Sequence, residues 1–226
     1  VHGSNYPMSN DALNDKIRQS KPAGIPWKIA IVKTYTWDHA SDYAKDALLK
    51  FAKKLSETDG IEVTEAELPE DIQTAHIVHE RIYDKTLAYY FQEEFKKPEH
   101  VSSIMNDIIN RGNLISVSEY HQALKDQEKI VLSMDNFFDD FDIIVSLSTA
   151  GEAPNRNETE RPDPSLIWTL SHLPVVSSPA FLSPGGLPFG VQFAARKYND
   201  LLLFRFLDRL RQENLIPEGV NPLPKV

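Results

Sequence analysis

The sequence predicts an α/β fold: a mixed β-sheet with helices on both faces, in a single α/β domain over residues 1–226. Three observations predict it. Trp27 to Leu68 reads strand, helix, strand, a βαβ unit that is right-handed if its strands are parallel. Phe141 to Leu147 is a short apolar run between acids and small polar residues, the mark of a strand buried on both faces. Two later strand patterns lead into an amphipathic helix from Asp200, which supplies a layer for the sheet to pack on.

The elements follow in order. Residues 1–26 are polar and broken by Gly3, Pro7, Pro22, Gly24 and Pro26. They read as an irregular lead-in with one short helix, Asp11 to Ser20. Trp27 to Lys33 is a strand by its β-branched content. Asp38 or Ser41 caps a helix running to about Ser56, with Ala44, Ala47, Leu48, Phe51, Ala52 and Leu55 on one face, and Asp59-Gly60 ends it. Ile61 to Leu68 alternates, with Ile61 and Val63 inward. Residues 70–97 carry a helical pattern through Ile72, Ala75, His76, His79, Ile82, Tyr83, Thr86 and Tyr90, stopped by Pro98.

Val101 to Asn110 reads as a short helix closed by Gly112. Ser116-Val-Ser-Glu119 fits a capping box, in which Ser and Glu satisfy each other's free N–H groups. The helix it opens runs to about Asp139, with Tyr120, Ala123, Leu124, Ile130 and Phe137 inward. After the buried strand, residues 155–164 are loop. Ser165 to Ser171 is a short helix, Pro174 to Ser178 a strand, Ser183 to Gly186 a turn, and Leu187 to Ala195 a strand with Pro188 near its start. Asp200 to Gln212 is a helix, and residues 214–226 form a Pro-rich surface tail.

Composition excludes several classes. A net charge of −9 argues against nucleic acid or an anionic membrane as partner. The absence of Cys removes disulfides, thiolate zinc sites and a thiol nucleophile. No apolar run approaches the ~20 residues of a membrane helix, and no signal-peptide pattern opens the chain, so a cytoplasmic location is expected. The first residue is Val rather than Met, which reads as a processed or artificially shortened product, or a fragment.

Motifs that carry chemistry are few. His76 and His79 sit one turn apart but lack a third ligand at matching spacing, so they read as a helix face and no metal is expected. Asp139, Asp140 and Asp142 read as a solvated strand entry rather than an acid–base pair. No Gly-x-Ser-x-Gly elbow, phosphate loop or dinucleotide fingerprint occurs, and no cofactor is expected. Ser146, Ser148, Ser177 and Ser178 lack the adjacent glycines that admit an oxyanion. Ser148, Thr149, Gly151 and Glu152 lie past a strand end, where α/β proteins bind ligands. They read equally as a pocket wall or as a capped, solvated loop.

From Trp27 onward the order of features resembles the carboxy-terminal half of the amidase signature family. Phe141-Asp-Ile-Ile-Val-Ser-Leu-Ser-Thr-Ala-Gly-Glu-Ala-Pro154 resembles its aromatic-Asp, hydrophobic, Thr and Ala-Pro segment. Trp168-Thr169 with Leu173-Pro174-Val-Val resembles its Trp-Thr and Pro-hydrophobic segment. Gly186-Leu-Pro-Phe-Gly-Val-Gln192 resembles its Gly-Leu-Pro-x-Gly-x-Gln strand. Residues 27–110 match only in element order.

The resemblance implies hydrolysis of linear amides, part of an amidase-signature fold, and Thr149, Trp168 and His172 as substrate-pocket walls. The family's triad is Ser–cis-Ser–Lys, with its nucleophile in a Gly/Ser-rich segment upstream of everything matched, and no such segment occurs in these 226 residues. No residue here therefore inherits a catalytic role. The expected partners are the missing amino-terminal half, or a second copy of the chain, and a small amide. Two departures leave the substrate class open. Arg161-Pro-Asp-Pro164 replaces a loop that often holds Gly, and His172 stands where Gly is common. Three readings are carried forward: an inert half of an amide hydrolase, a catalytically inactive binding module, and a self-standing hydrolase using Ser146, Ser148 or Ser178 with His172.

Overall fold

The computed structural model describes residues 15–17, 19–158 and 160–217. Its sheet has five strands: β1 (Trp27–Ile31), β2 (Ile61–Glu65), β3 (Ile143–Leu147), β4 (Val175–Leu182) and β5 (Pro188–Ala195). The order is β2-β1-β3-β5-β4. β1 is parallel to β2 and β3, and β5 is antiparallel to β3 and β4, so the sheet is mixed. All five residues of β3 are buried, because it sits at the centre with a helical layer on each face.

Alternation along the strands divides the core in two. Ile29, Ile31, Ile143, Val145, Val191 and Phe193 point to one face. There they meet Leu48, Phe51 and Leu55 of α1 (Asp42–Ser56) and Leu203, Phe206 and Leu210 of α6 (Asp200–Gln212). Ala30, Ile144 and Ala194 point to the other face. They meet α2 (Ala75–Tyr90), α4 (Val117–Phe137) and α5 (Leu166–Leu170) through Val78, Ile130, Met134 and Ile167. The remaining helix, α3 (Ser103–Leu114), packs outside on α2.

Several expectations are corrected. Residues 70–97 are not one helix: short 3-10 turns at Glu70–Thr74 and Glu94–Lys96 flank α2. Tyr90, the last residue of that pattern, is 72% exposed. Asp84 is buried instead, where α3 covers it and Arg111 donates two hydrogen bonds to its carboxylate, at 2.8 and 3.3 Å. Gly112 does not close α3 but lies inside it. A Cβ there would stand 2.0 Å from the Asp84 carbonyl oxygen, so the glycine sets how closely α2 and α3 approach. The strand after Pro174 continues to Leu182 through an irregularity between Ser178 and Phe181. Asp142 is more than a solvated entry, since it accepts from Lys28 N (2.8 Å) and Lys21 Nζ (2.5 Å) and ties the lead-in to β1.

Part of the expected Asp11–Ser20 helix lies outside the described residues, and its described end is a turn. Gln19 there is buried against α6. It donates to Tyr198 O and accepts from Leu201 N (3.1 Å) and Leu202 N (3.4 Å), satisfying donors at the helix start. Most of the expected tail lies outside the described residues.

Candidate functional site

β1 and β3 run toward one end of the sheet, the end at which such sheets offer crevices. β5 is antiparallel to them, so its first residues and the β4–β5 turn arrive at the same end. The loop leaving β3 is pinned there from three sides. From the start of α1, Ser41 N donates to Ala150 O (2.8 Å), and Tyr43 Oη accepts from Glu152 N (2.8 Å). Gly151 is required by this approach, since a Cβ would lie 2.4 Å from the Tyr43 hydroxyl. From the β4–β5 turn, the Ser183 hydroxyl donates to the Glu152 carboxylate and accepts from Leu187 N at 3.1 Å. From the next loop, Arg161 Nη1 donates to Ser41 Oγ (2.7 Å) and His39 O (3.2 Å) at the start of α1 and reaches Ala150 O of the pinned loop at 3.5 Å.

Beneath this loop, Gln192 Nε2 donates to Ser146 Oγ (3.0 Å) and Leu147 O (2.9 Å), both buried. Its Oε1 is buried without a partner among the described residues. Gly190 admits the neighbouring strands closely: a Cβ would fall 2.6 Å from Ser178 O and 2.7 Å from Ser148 Oγ. Among the described residues, no histidine or lysine hydrogen-bonds Ser146, Ser148, Ser177 or Ser178. A serine without a base is a weak nucleophile. No group of three or more His, Asp or Glu among the described residues is placed to hold a metal.

The three residues singled out from the sequence are not brought together. Thr149 is exposed in the pinned loop, and its hydroxyl donates to Gly151 O at 2.8 Å. Trp168 lies in the core at 1% exposure, its indole N–H without a partner among the described residues. His172 precedes β4, whose Val175 pairs with Ala194 at the opposite end of the sheet. Thr149 and His172 are thus separated by at least ~10 Å along the strands. Tyr43, Arg161 and Ser183 were not singled out as site residues. The Ser183-Pro-Gly-Gly turn was visible in the sequence, but nothing there pointed it at Glu152.

His172 closes α5. Its N–H donates to Thr169 O (3.2 Å), and Leu173 N donates to Trp168 O (3.1 Å), the paired bonds of a Schellman ending. That ending needs a left-handed residue, normally Gly, and His172 adopts φ 58°. Partial burial, with the nearby Lys197 charge, holds its imidazole below the ordinary histidine range.

The family model described as Amidase matches residues 4–204. Over 103 residues the chain is 30% identical to one component of the glutamyl-tRNA(Gln) amidotransferase of Brachyspira hyodysenteriae, covering 42% of this chain and 21% of that protein. Over 121 residues it is 28% identical to AmiD of Mycobacterium tuberculosis, described as an amidase, covering 48% and 25%. Among solved structures, one neighbour belongs to a vestigial protein complex tied to the origins of an s-triazine catabolic enzyme. It aligns at TM-score 0.75 and 20% identity, over 90% of this chain and 46% of that one. A 6-aminohexanoate cyclic dimer hydrolase aligns at TM-score 0.70 and 14% identity, over 90% and 47%. The alignments thus take in about half of these solved chains and a quarter or less of the curated relatives.

Proposed function

The chain belongs to the amidase family, and from that premise we propose that it is the carboxy-terminal part of a hydrolase of amide C–N bonds with water as acceptor. The observation that carries this reading is the mismatch in coverage: 90% of this chain aligns with only 46–47% of amidase-like neighbours. In this reading the Ser–cis-Ser–Lys machinery belongs to an amino-terminal part. This chain supplies sheet and pocket walls. The loop Ser148 to Pro154 is the wall, with Thr149 toward substrate, while Trp168 is buried in the core in α5. His172 lines a separate cleft.

The edge of the sheet supports the same reading. Among the described residues β4 is unpaired on its outer side, and no charged residue occurs in Val-Val-Ser-Ser-Pro-Ala-Phe-Leu, where Pro179 and the irregularity between Ser178 and Phe181 blunt only the middle of the edge. Leu182, Leu187 and Phe204 are 72, 49 and 56% exposed. β2, at the other edge, carries Glu62 and Glu65, the usual protection of a free edge. The β4 side is therefore where the amino-terminal part, or a second copy, would dock.

The test is to produce the chain with its amino-terminal part and follow ammonia release from small primary amides. Thr149→Val, which exchanges the hydroxyl for a methyl group of similar size, lowers kcat/KM about tenfold. An unchanged kcat/KM removes Thr149 from the wall. A catalytically inactive binding module is the second reading, favoured by the resemblance to a member of a vestigial complex. It requires that the assembled protein bind amides without turning them over.

A further inference from the structure

Away from the strand ends, α2, α4 and the end of α5 border an open cleft of about 370 Å³. Ile82, Leu87 and Leu170 give it a largely apolar lining, and His79, Tyr83, Gln127, Thr169 and His172 complete its walls. Its volume is that of a small-molecule site, and its plan of apolar walls with a few polar groups is the usual one. No lysine, arginine or carboxylate lines it among the described residues. The nearby charges act from outside the lining and differ in sign, Lys197 on His172 and Asp163, Asp84 and Glu80 on His79, so an ion of either sign would shed water there without a direct counter-charge.

Three features give it a specific chemistry. The rings of His79 and Tyr83 stack at 5.6 Å and 18°, presenting a flat aromatic pair. Gln127 Nε2 lies 3.0 Å from Leu170 O and 2.9 Å from His172 Nε2. The carbonyl fixes the amide nitrogen as the donor in both contacts, so His172 Nε2 accepts and its proton sits on Nδ1. The imidazole is thereby oriented as a neutral donor. Finally, His172 holds this place at a left-handed φ of 58°, where Gly would fold at lower cost. A side chain kept at a strained position beside a cleft points to a use for the side chain.

We propose that this cleft binds an uncharged, ring-sized carbonyl compound, an aromatic amide in the simplest case, by stacking on the His79–Tyr83 pair and accepting a hydrogen bond from His172. The site is separate from the strand-end wall, and its occupancy needs neither the amino-terminal part nor turnover.

The experiment is a titration of the purified chain with benzamide, following the imidazole C–H signals of His79 and His172 by NMR. Benzoate and benzylamine serve as charged probes with the same ring. Benzamide shifts both imidazoles saturably with one Kd, and the charged probes bind at least tenfold more weakly. His172→Gly and His172→Asn, both at ease in the left-handed region, keep the fold and weaken benzamide at least tenfold, with His172→Gly melting higher than the parent. Tyr83→Ala, on a partly exposed side chain, gives the same loss of binding. The proposal is overturned if benzamide gives no saturable shift, if benzoate or benzylamine matches it, or if the His172 and Tyr83 variants bind as the parent does. Because the readout is binding to the chain alone, its failure leaves the amide-hydrolase reading standing, and the converse also holds.

Discussion

Single residues decide how closely the layers of this protein approach. Gly112 is the sharpest case. Its sequence context reads as a helix stop, yet it sits in the middle of a crossing where even a methyl group would overlap the Asp84 carbonyl at 2.0 Å. Gly112→Ala should therefore destabilise the fold by about 3 kcal/mol or more despite its better helix propensity, measured by urea unfolding. A gain in stability would show that the crossing is looser than described. The histidines make a second prediction. Burial lowers His79 below its ordinary value of 6.5, although Asp163, Asp84 and Glu80 pull the other way. Burial and the Lys197 charge lower His172 from the same value. The unfolded chain thus takes up these protons first as pH falls. Their contribution to stability is complete above about pH 6.5 and is lost as pH drops through the depressed folded values. Urea midpoints should fall between pH 7.5 and 5.5, and His172→Asn should flatten that slope.

At the scale of elements, what the sequence shows plainly is what local chemistry decides. Ser116 and Glu119 form the capping box their spacing announces, with Glu119 N donating to Ser116 Oγ at 3.2 Å and Ser116 N to the Glu119 carboxylate at 2.8 Å. Asp200–Gln212 is the helix its apolar face demands, and the run at Ile143 is the central buried strand. What the sequence conceals depends on distant partners. The inward face of α2 turns on α3 and Arg111, which lie more than twenty residues onward. The pinning of the Thr149 loop turns on Tyr43, Arg161 and Ser183, which no spacing connects. The lead-in looks irregular, yet Gln19 satisfies the start of α6. The β4 edge carries the prediction proper to this scale. Phe204→Glu, together with Leu182→Lys, places charge on the exposed apolar side of β4 and α6 without touching the buried cluster. The variant should stay monomeric in sedimentation at concentrations where the parent chain self-associates, and should lose capture of the amino-terminal part. A parent chain that remains a monomer and fails to capture that part would take this edge out of the assembly.

For the whole molecule, the fold and the family agree, and in the proposed reading activity depends on what the strand-end wall faces. The chain builds a sheet with two covered faces, a pinned polar loop at the crevice end and an uncharged edge. It places no base beside Ser146, Ser148 or Ser178 among the described residues. Trp168 and Gln192 each leave a buried polar atom without a partner among the described residues, at positions where the resemblance to the amidase signature is densest. The measurement that tests the central claim most directly is ammonia release from a panel of small primary amides by the purified 226-residue chain, with and without its amino-terminal part. The account predicts no release above the uncatalysed rate by the chain alone, and turnover once the amino-terminal part is present. Turnover by the chain alone, abolished by Ser148→Ala or Ser178→Ala, would contradict it.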